Sequence, residues 1–256
     1  MAGKLRLGGM ALRNGVLVHG PTSWGCAVRL PDGTLKVAAE RKRFLAAGIG
    51  NPILRGPARL IEAVAVLPAV KRRLPEAKLP FEAPNVVVVM LASAVAARSV
   101  RDSRLRPAAQ ELVTGLLSVT PALFSLRGGE LTAYHGAEHI SIGTYEHDEP
   151  RAREHERCGS HLVGPLVVTT AVAHAVAQKL PPQFRTAARA IGTLGAVAAS
   201  TELFGWMVRN PERKLARALA RPGHELQHRF ATAEPTPAQI EVAEAALRAC
   251  LQLESA

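Results

Sequence analysis

Tyr134-His135-Gly136-Ala137-Glu138-His139 fits the spacing H-x-x-E-H. Positions four apart share one face of a helix, so the imidazoles of His135 and His139 can reach a single cation. Glu138 lies beside them, where a carboxylate can act as general base toward water. This is the inverted order of the zinc-protease motif. A catalytic zinc takes three protein ligands and keeps one position open. The helical pair supplies two, and the third must come from elsewhere. In a chain of this composition the pattern arises by chance about once in fifty sequences. A polar helix face with ordinary histidines is the plain alternative.

A second spacing, His224-Glu225-Leu226-Gln227-His228, has the commoner H-E-x-x-H order. It follows Pro222-Gly223 and stops short of Pro235, so its helix is brief. An amphipathic helix with Leu226 and Phe230 inward accounts for it as well; as a metal site it would look to Glu241 or Glu244 for a third ligand. Close to the first motif stand His147, His155, Cys158 and His161. Cys158, in Arg157-Cys158-Gly159, reads equally as a ligand or a buried thiol. His174 sits in an apolar run and reads as a core histidine. Glu202 is an acid inside the last apolar stretch. An unpartnered carboxylate there is costly, so it needs a partner, and a metal is one candidate.

These residues need elements to hold them. Residues 1–43 read as a small β-rich module, with Pro31-Asp32-Gly33 as a hairpin turn. Residues 44–208 read as a helical core. Within it, 53–74 form a helix interrupted at Pro68, and 86–126 form two apolar helices. The segment 127–161, entered at Gly128-Gly129, is rich in charge and histidine, and 162–208 form two further apolar helices. Residues 209–256 read as a basic linker and an amphipathic helix. That helix opens at Thr236-Pro237 and carries Ile240, Ala243, Ala246 and Leu247 on its apolar stripe. The expected fold is mainly α: a membrane-associated bundle of about four apolar helices, a small N-terminal β hairpin module and a C-terminal amphipathic helix.

Apolar residues make up 48% of the 256 positions, enough for a core, and charged residues 21%. The net charge of +11 points to an anionic partner, a membrane surface or nucleic acid. Aromatics are only 4% and are not interleaved with the basic residues, so no nucleic-acid platform is evident and none is expected as a partner. The basic N-terminus lacks the continuous apolar core of a secretory signal. Three widely spaced cysteines, Cys26, Cys158 and Cys250, do not suggest a disulfide framework. Lys71-Arg72-Arg73, Arg98, Arg101, Arg104, Arg106 and Arg213-Lys214 flank the apolar stretches, as anionic headgroups favour. The mean hydropathy of +0.08 is low for a chain made mainly of spans, and a soluble alanine-rich bundle also fits the pattern.

Much of the chain resembles the bacterial YqhQ-like membrane proteins, the domain of unknown function 1385. Gly8-Gly9 to Pro21 is similar to that family's G-G-Q-A-V-x-x-G-V-M-M-R-G-P, and Tyr134 to His139 matches its most specific signature. Arg157-Cys158-Gly159 matches its R-C-G, Thr201-Glu202 falls at its Tyr-Glu, and Glu234 to Ala246 resembles its closing E-P-x-x-x-Q-x-E-V-A. The departures are Met10 for Gln, Asn14 for an acid, Ile140 for Lys, and Ser160-His161-Leu162 for T-S-F. The family has no counterpart of the H-E-x-x-H spacing. The resemblance implies a multi-pass protein of the cell membrane and a metal-dependent enzyme. It implies His135, His139 and Glu202 as ligands, with Cys158 as a further candidate, to a divalent metal, by chemistry zinc. Glu138 is then the catalytic base of a hydrolase acting on a peptide or lipid-linked substrate. The alternative is a non-catalytic membrane assembly or scaffold protein, with a structural metal or a polar docking segment.

Overall fold

The chain is described as a computed structural model covering residues 4–43, 46, 48–126 and 129–256. Gly128, read above as part of a glycine pair, lies outside these residues.

Four antiparallel strands run as a meander: β1 (Gly8–Leu12), β2 (Gly15–His19), β3 (Ser23–Arg29) and β4 (Leu35–Arg41). The expected hairpin is the β3–β4 turn at Pro31-Asp32-Gly33, closed by the Thr34 amide donating to Asp32 Oδ1 at 2.9 Å. Side chains alternate across the sheet with the period of two that a pleated strand dictates. Val16, Val18 and Ala27 face one side, and Leu17, Cys26 and Val28 face the other. Both faces are covered, which makes the central strands almost wholly apolar. On the first side lie α5 (Glu130–His147) and α9 (Pro237–Glu254). On the second lies α2 (Leu67–Arg73), with Val66, Val70 and Leu74 against Trp24. The sheet and the last helix, 200 residues apart in the chain, therefore share one core.

Local chemistry sets the helix ends. Thr236 caps α9 as its sequence suggests: its amide donates to Gln239 Oε1 at 2.9 Å and its hydroxyl accepts from the Gln239 amide at 3.4 Å. The stripe of Ala243, Ala246 and Leu247 is buried. Pro68 ends the first helical run, leaving α1 (Pro52–Ala65) and α2 as separate helices.

The apolar helices lie outside this core as two hairpins, α3 (Pro84–Arg101) with α4 (Pro107–Ser125), and α6 (Val163–Gln178) with α7 (Pro182–Arg209). Their large apolar side chains point outward, among them Val88, Leu91, Val95, Leu112, Val167, Val172, Ile191 and Leu194. Among the described residues, three segments are long and apolar enough to cross a membrane: Pro84–Arg101, Gly159–Gln178 and Pro182–Arg209, with mean hydropathies of 1.2, 1.4 and 1.3. A fourth passes only if α4 is joined to α5 across a bend of 87°. Since α5 is packed into the sheet core along most of its length, we assign it to the core. The remaining helix, α8 (Lys214–Leu226), leads into a five-residue π turn, Gln227–Ala231.

Candidate metal centre

Helix α5 carries the H-x-x-E-H residues into a gap between the sheet and the loop 148–158. Helical spacing brings the two imidazoles together, their ring centroids 4.3 Å apart and their planes tilted by 59°. Cys158, on the loop entering α6, brings its sulfur to 3.6 Å from His135 Nε2. One ligand atom from each of His135, His139 and Cys158 lies within 4.8 Å of the others. Zinc bonds of roughly 2.0–2.3 Å fit a triangle of that size.

The ring orientations agree with ligation. His135 Nδ1 donates to the Ala231 carbonyl at 2.8 Å, and His139 Nδ1 donates to the Arg153 carbonyl at 2.6 Å. A proton held on Nδ1 leaves Nε2 with its lone pair free, the tautomer a metal requires. Burial, and then the neighbouring His135, pushes the His139 pKa far below its ordinary value, so His139 is a neutral imidazole. Burial raises the Cys158 thiol, so without a cation to favour the thiolate it stays protonated.

Glu138 is 5% exposed, with Oε2 at 3.9 Å from His135 Nε2. Burial raises its pKa to about 8; the His135 ring acts against that shift and Cys158 adds to it. A carboxyl balanced near neutrality suits proton transfer in both directions. Its room comes from Gly9 on β1: a Cβ there would overlap the Glu138 carboxylate. Gly136 likewise lets the 231–235 segment lie on α5, since a Cβ there would overlap the Ala233 carbonyl. The Ala233 amide then donates to the Thr132 carbonyl at 2.9 Å.

The three donors open onto a cavity of about 190 Å³, also lined by Glu138, His19 and Arg157. His19, on β2, lies 3.4 Å through Nδ1 from Lys42 Nζ, and Lys42 pairs with Glu62. An ammonium only donates, so His19 Nδ1 accepts and its proton sits on Nε2. Burial, then the Lys42 charge, lowers the His19 pKa to about 4 and keeps the ring neutral.

Glu202 is elsewhere, which corrects its place as a ligand. Both of its carboxylate oxygens are held by the guanidinium of Arg55 on α1, Nε at 2.7 Å and Nη2 closer still. The carboxylate in the apolar helix does have a partner, but the partner is a cation. A forked guanidinium neutralises it as well as a metal would. His224 and His228 form no site either. Their rings are nearly parallel with centroids 6.3 Å apart, and His228 Nδ1 bonds Glu154 at 3.0 Å. No ligand group among the described residues includes them.

That segment supports the first motif instead. Its π turn presents the Ala231 carbonyl to His135 and buries Gln227 completely. Gln227 Oε1 accepts from the His155 amide at 2.8 Å, and Nε2 donates to Ser160 Oγ at 2.7 Å and to the His155 carbonyl at 3.2 Å. It thereby clamps the loop on both sides of Cys158. Gln227, Ala231, Arg153 and His19 carried no sequence signal for these roles. Gly9 figures only as part of the Gly8-to-Pro21 stretch that carries the resemblance, with no role given to it.

No curated protein and no solved structure matches this chain. Residues 129–253, just under half of it and spanning all three donors, match the family model of a protein of unknown function, DUF1385.

Proposed function

We propose that this chain is a membrane-embedded, metal-dependent hydrolase with zinc as its cation, held by His135, His139 and Cys158. The observation that carries this reading is the convergence of two imidazoles and a thiol within 4.8 Å, with each ring's Nδ1 bonded to a main-chain carbonyl. Two nitrogens and a sulfur are a donor set that zinc favours over harder cations. Zinc bound there would supply a Lewis acid that favours water as a nucleophile near neutral pH. Glu138 would take a proton from an attacking water and return it to the leaving group. The Nε2–H of neutral His19, lining the same cavity, is available to an oxygen that gains charge.

The opening of the donors onto a cavity favours catalysis over a structural site, which zinc closes with four protein ligands. The exposed apolar faces of α3, α4, α6 and α7 support multi-pass residence in a bilayer, with the site in the core attached to them. A peptide or a lipid-linked group at that boundary is the substrate.

Protein purified in lipid nanodiscs should carry close to one equivalent of zinc. His135→Ala and Cys158→Ala should lose it, and Glu202→Gln should keep it. Glu138→Gln should retain zinc yet fail to complement a deletion strain, whereas a scaffold would tolerate the change. Less than about a tenth of an equivalent, unaltered by His135→Ala, removes this proposal.

A further inference from the structure

A second cavity, about 310 Å³, adjoins the first. Both are lined by His155 and Arg157, so these two side chains form the wall between them. The outer cavity is bounded by the chain entering β1, through Lys4 and Arg6, and by the loop bearing Arg151, Glu154 and Glu156.

Its charges do not cancel. Each acid in the wall is matched locally: Glu146 by Arg157 and His155, Glu154 by His228 and Arg153, and Glu156 by Arg151. Lys4 is paired with Asp148. Arg6 makes no ion pair or hydrogen bond among the described residues, and it is exposed. Arg6 and Arg157 line the same cavity. Glu146 takes up one edge of the Arg157 guanidinium, and a guanidinium has five N–H donors in all. Two guanidinium groups lining one cavity, one of them without a counterion among the described residues, offer the planar N–H donors that bind phosphate.

We propose that the outer cavity is an oxyanion subsite, in which Arg6 and Arg157 hold a phosphate group of the substrate while the bond to be cleaved lies beside Glu138 in the inner cavity. This rests on the hydrolase reading and narrows its substrate class to phosphate-bearing molecules, whether a lipid headgroup or a soluble phosphate. The step itself is hydrolysis: water adds across the bond, and its proton leaves with the departing group by way of Glu138.

The test uses the full chain, with inorganic phosphate as probe in phosphatidylcholine nanodiscs, read by ³¹P line broadening in the cobalt-loaded protein and by calorimetry in the metal-free protein. Wild type should bind phosphate in both forms. Arg6→Gln should weaken binding about tenfold, and Arg157→Gln at least as much, with cobalt content unchanged. Arg6 is exposed and unpaired, so Arg6→Gln reports on the subsite even if Arg157→Gln fails to fold. Phosphate binding by the metal-free protein tests the subsite independently, so a protein that binds phosphate but no metal overturns the hydrolase reading alone. Equal affinity in wild type and Arg6→Gln overturns the subsite. In nanodiscs containing phosphatidic acid, loss of the phosphate signal in wild type but not in Arg6→Gln marks a lipid headgroup as the source, and an undiminished signal marks a soluble phosphate. Acetate at equal concentration should bind more weakly than phosphate, and the reverse order also overturns the assignment.

Discussion

Replacing Gln227 with leucine isolates the contribution of the π turn to the metal centre. Leucine nearly preserves the volume of this fully buried side chain and removes every polar contact it makes. The His155 amide and carbonyl, at 2.8 and 3.2 Å, lose their partner, as does Ser160 Oγ at 2.7 Å. An orphaned buried polar group costs about 1–3 kcal/mol, so two main-chain groups together cost about 2–6 kcal/mol unless the loop moves to find water. Moving the loop is the cheaper response, and it displaces Cys158, three residues from His155. Loss of a group that orients a ligand typically lowers metal affinity about 10–100-fold. Zinc affinity, measured by chelator competition in nanodiscs alongside urea unfolding, should show both losses, and Gln227→Glu should restore part of each through its remaining acceptor. If Gln227→Leu is destabilised but binds zinc within about threefold of wild type, the clamp does not position Cys158 and the reasoning fails.

Other consequences can be checked in the same preparation. Cys158→Ser should lower zinc affinity by at least about 100-fold and abolish the sulfur-to-metal charge-transfer absorption of the cobalt form, while Glu202→Gln leaves both unchanged. Gly9→Ala should cost about 1–3 kcal/mol in urea unfolding by crowding Glu138, and much less in a Glu138→Ala background; an equal cost in both would mean the two residues do not touch. In the metal-free protein, Glu138 keeps its proton up to about pH 8, whereas the unfolded chain releases it near its ordinary pKa of 4.5. Stability from this group is thus complete below 4.5 and lost as pH rises to 8, at about 1.4 kcal/mol per pH unit. His19 and His139, held neutral by the fold, act in the opposite sense and lose stability as pH falls below 6.5. Metal-free protein should therefore be most stable near pH 6.5, and Glu138→Gln should flatten only the alkaline limb of a denaturation series. A limb unaltered by that substitution would show that Glu138 is not buried as a neutral acid.

What the sequence determined is what depends on short separations. The H-x-x-E-H spacing already places two imidazoles and a carboxyl on one stretch of helix, because a turn of helix has a fixed pitch. The cap at Thr236, the β3–β4 turn, the break at Pro68 and the apolar character of α3, α4, α6 and α7 follow in the same way from neighbours within a few positions. What the tertiary structure decided is every pairing across long loops. Cys158 rather than Glu202 stands with the histidines, because Glu202 meets Arg55, 147 residues earlier, and is neutralised there. The segment with the second spacing supports the first, because its π turn directs the Ala231 carbonyl to His135 and the buried Gln227 amide to the loop that carries Cys158. Composition and periodicity specify which groups must find partners. They do not specify which partners, since that depends on how the sheet, α9 and the loops close into one core and on which donors and acceptors the closure brings within about 3 Å.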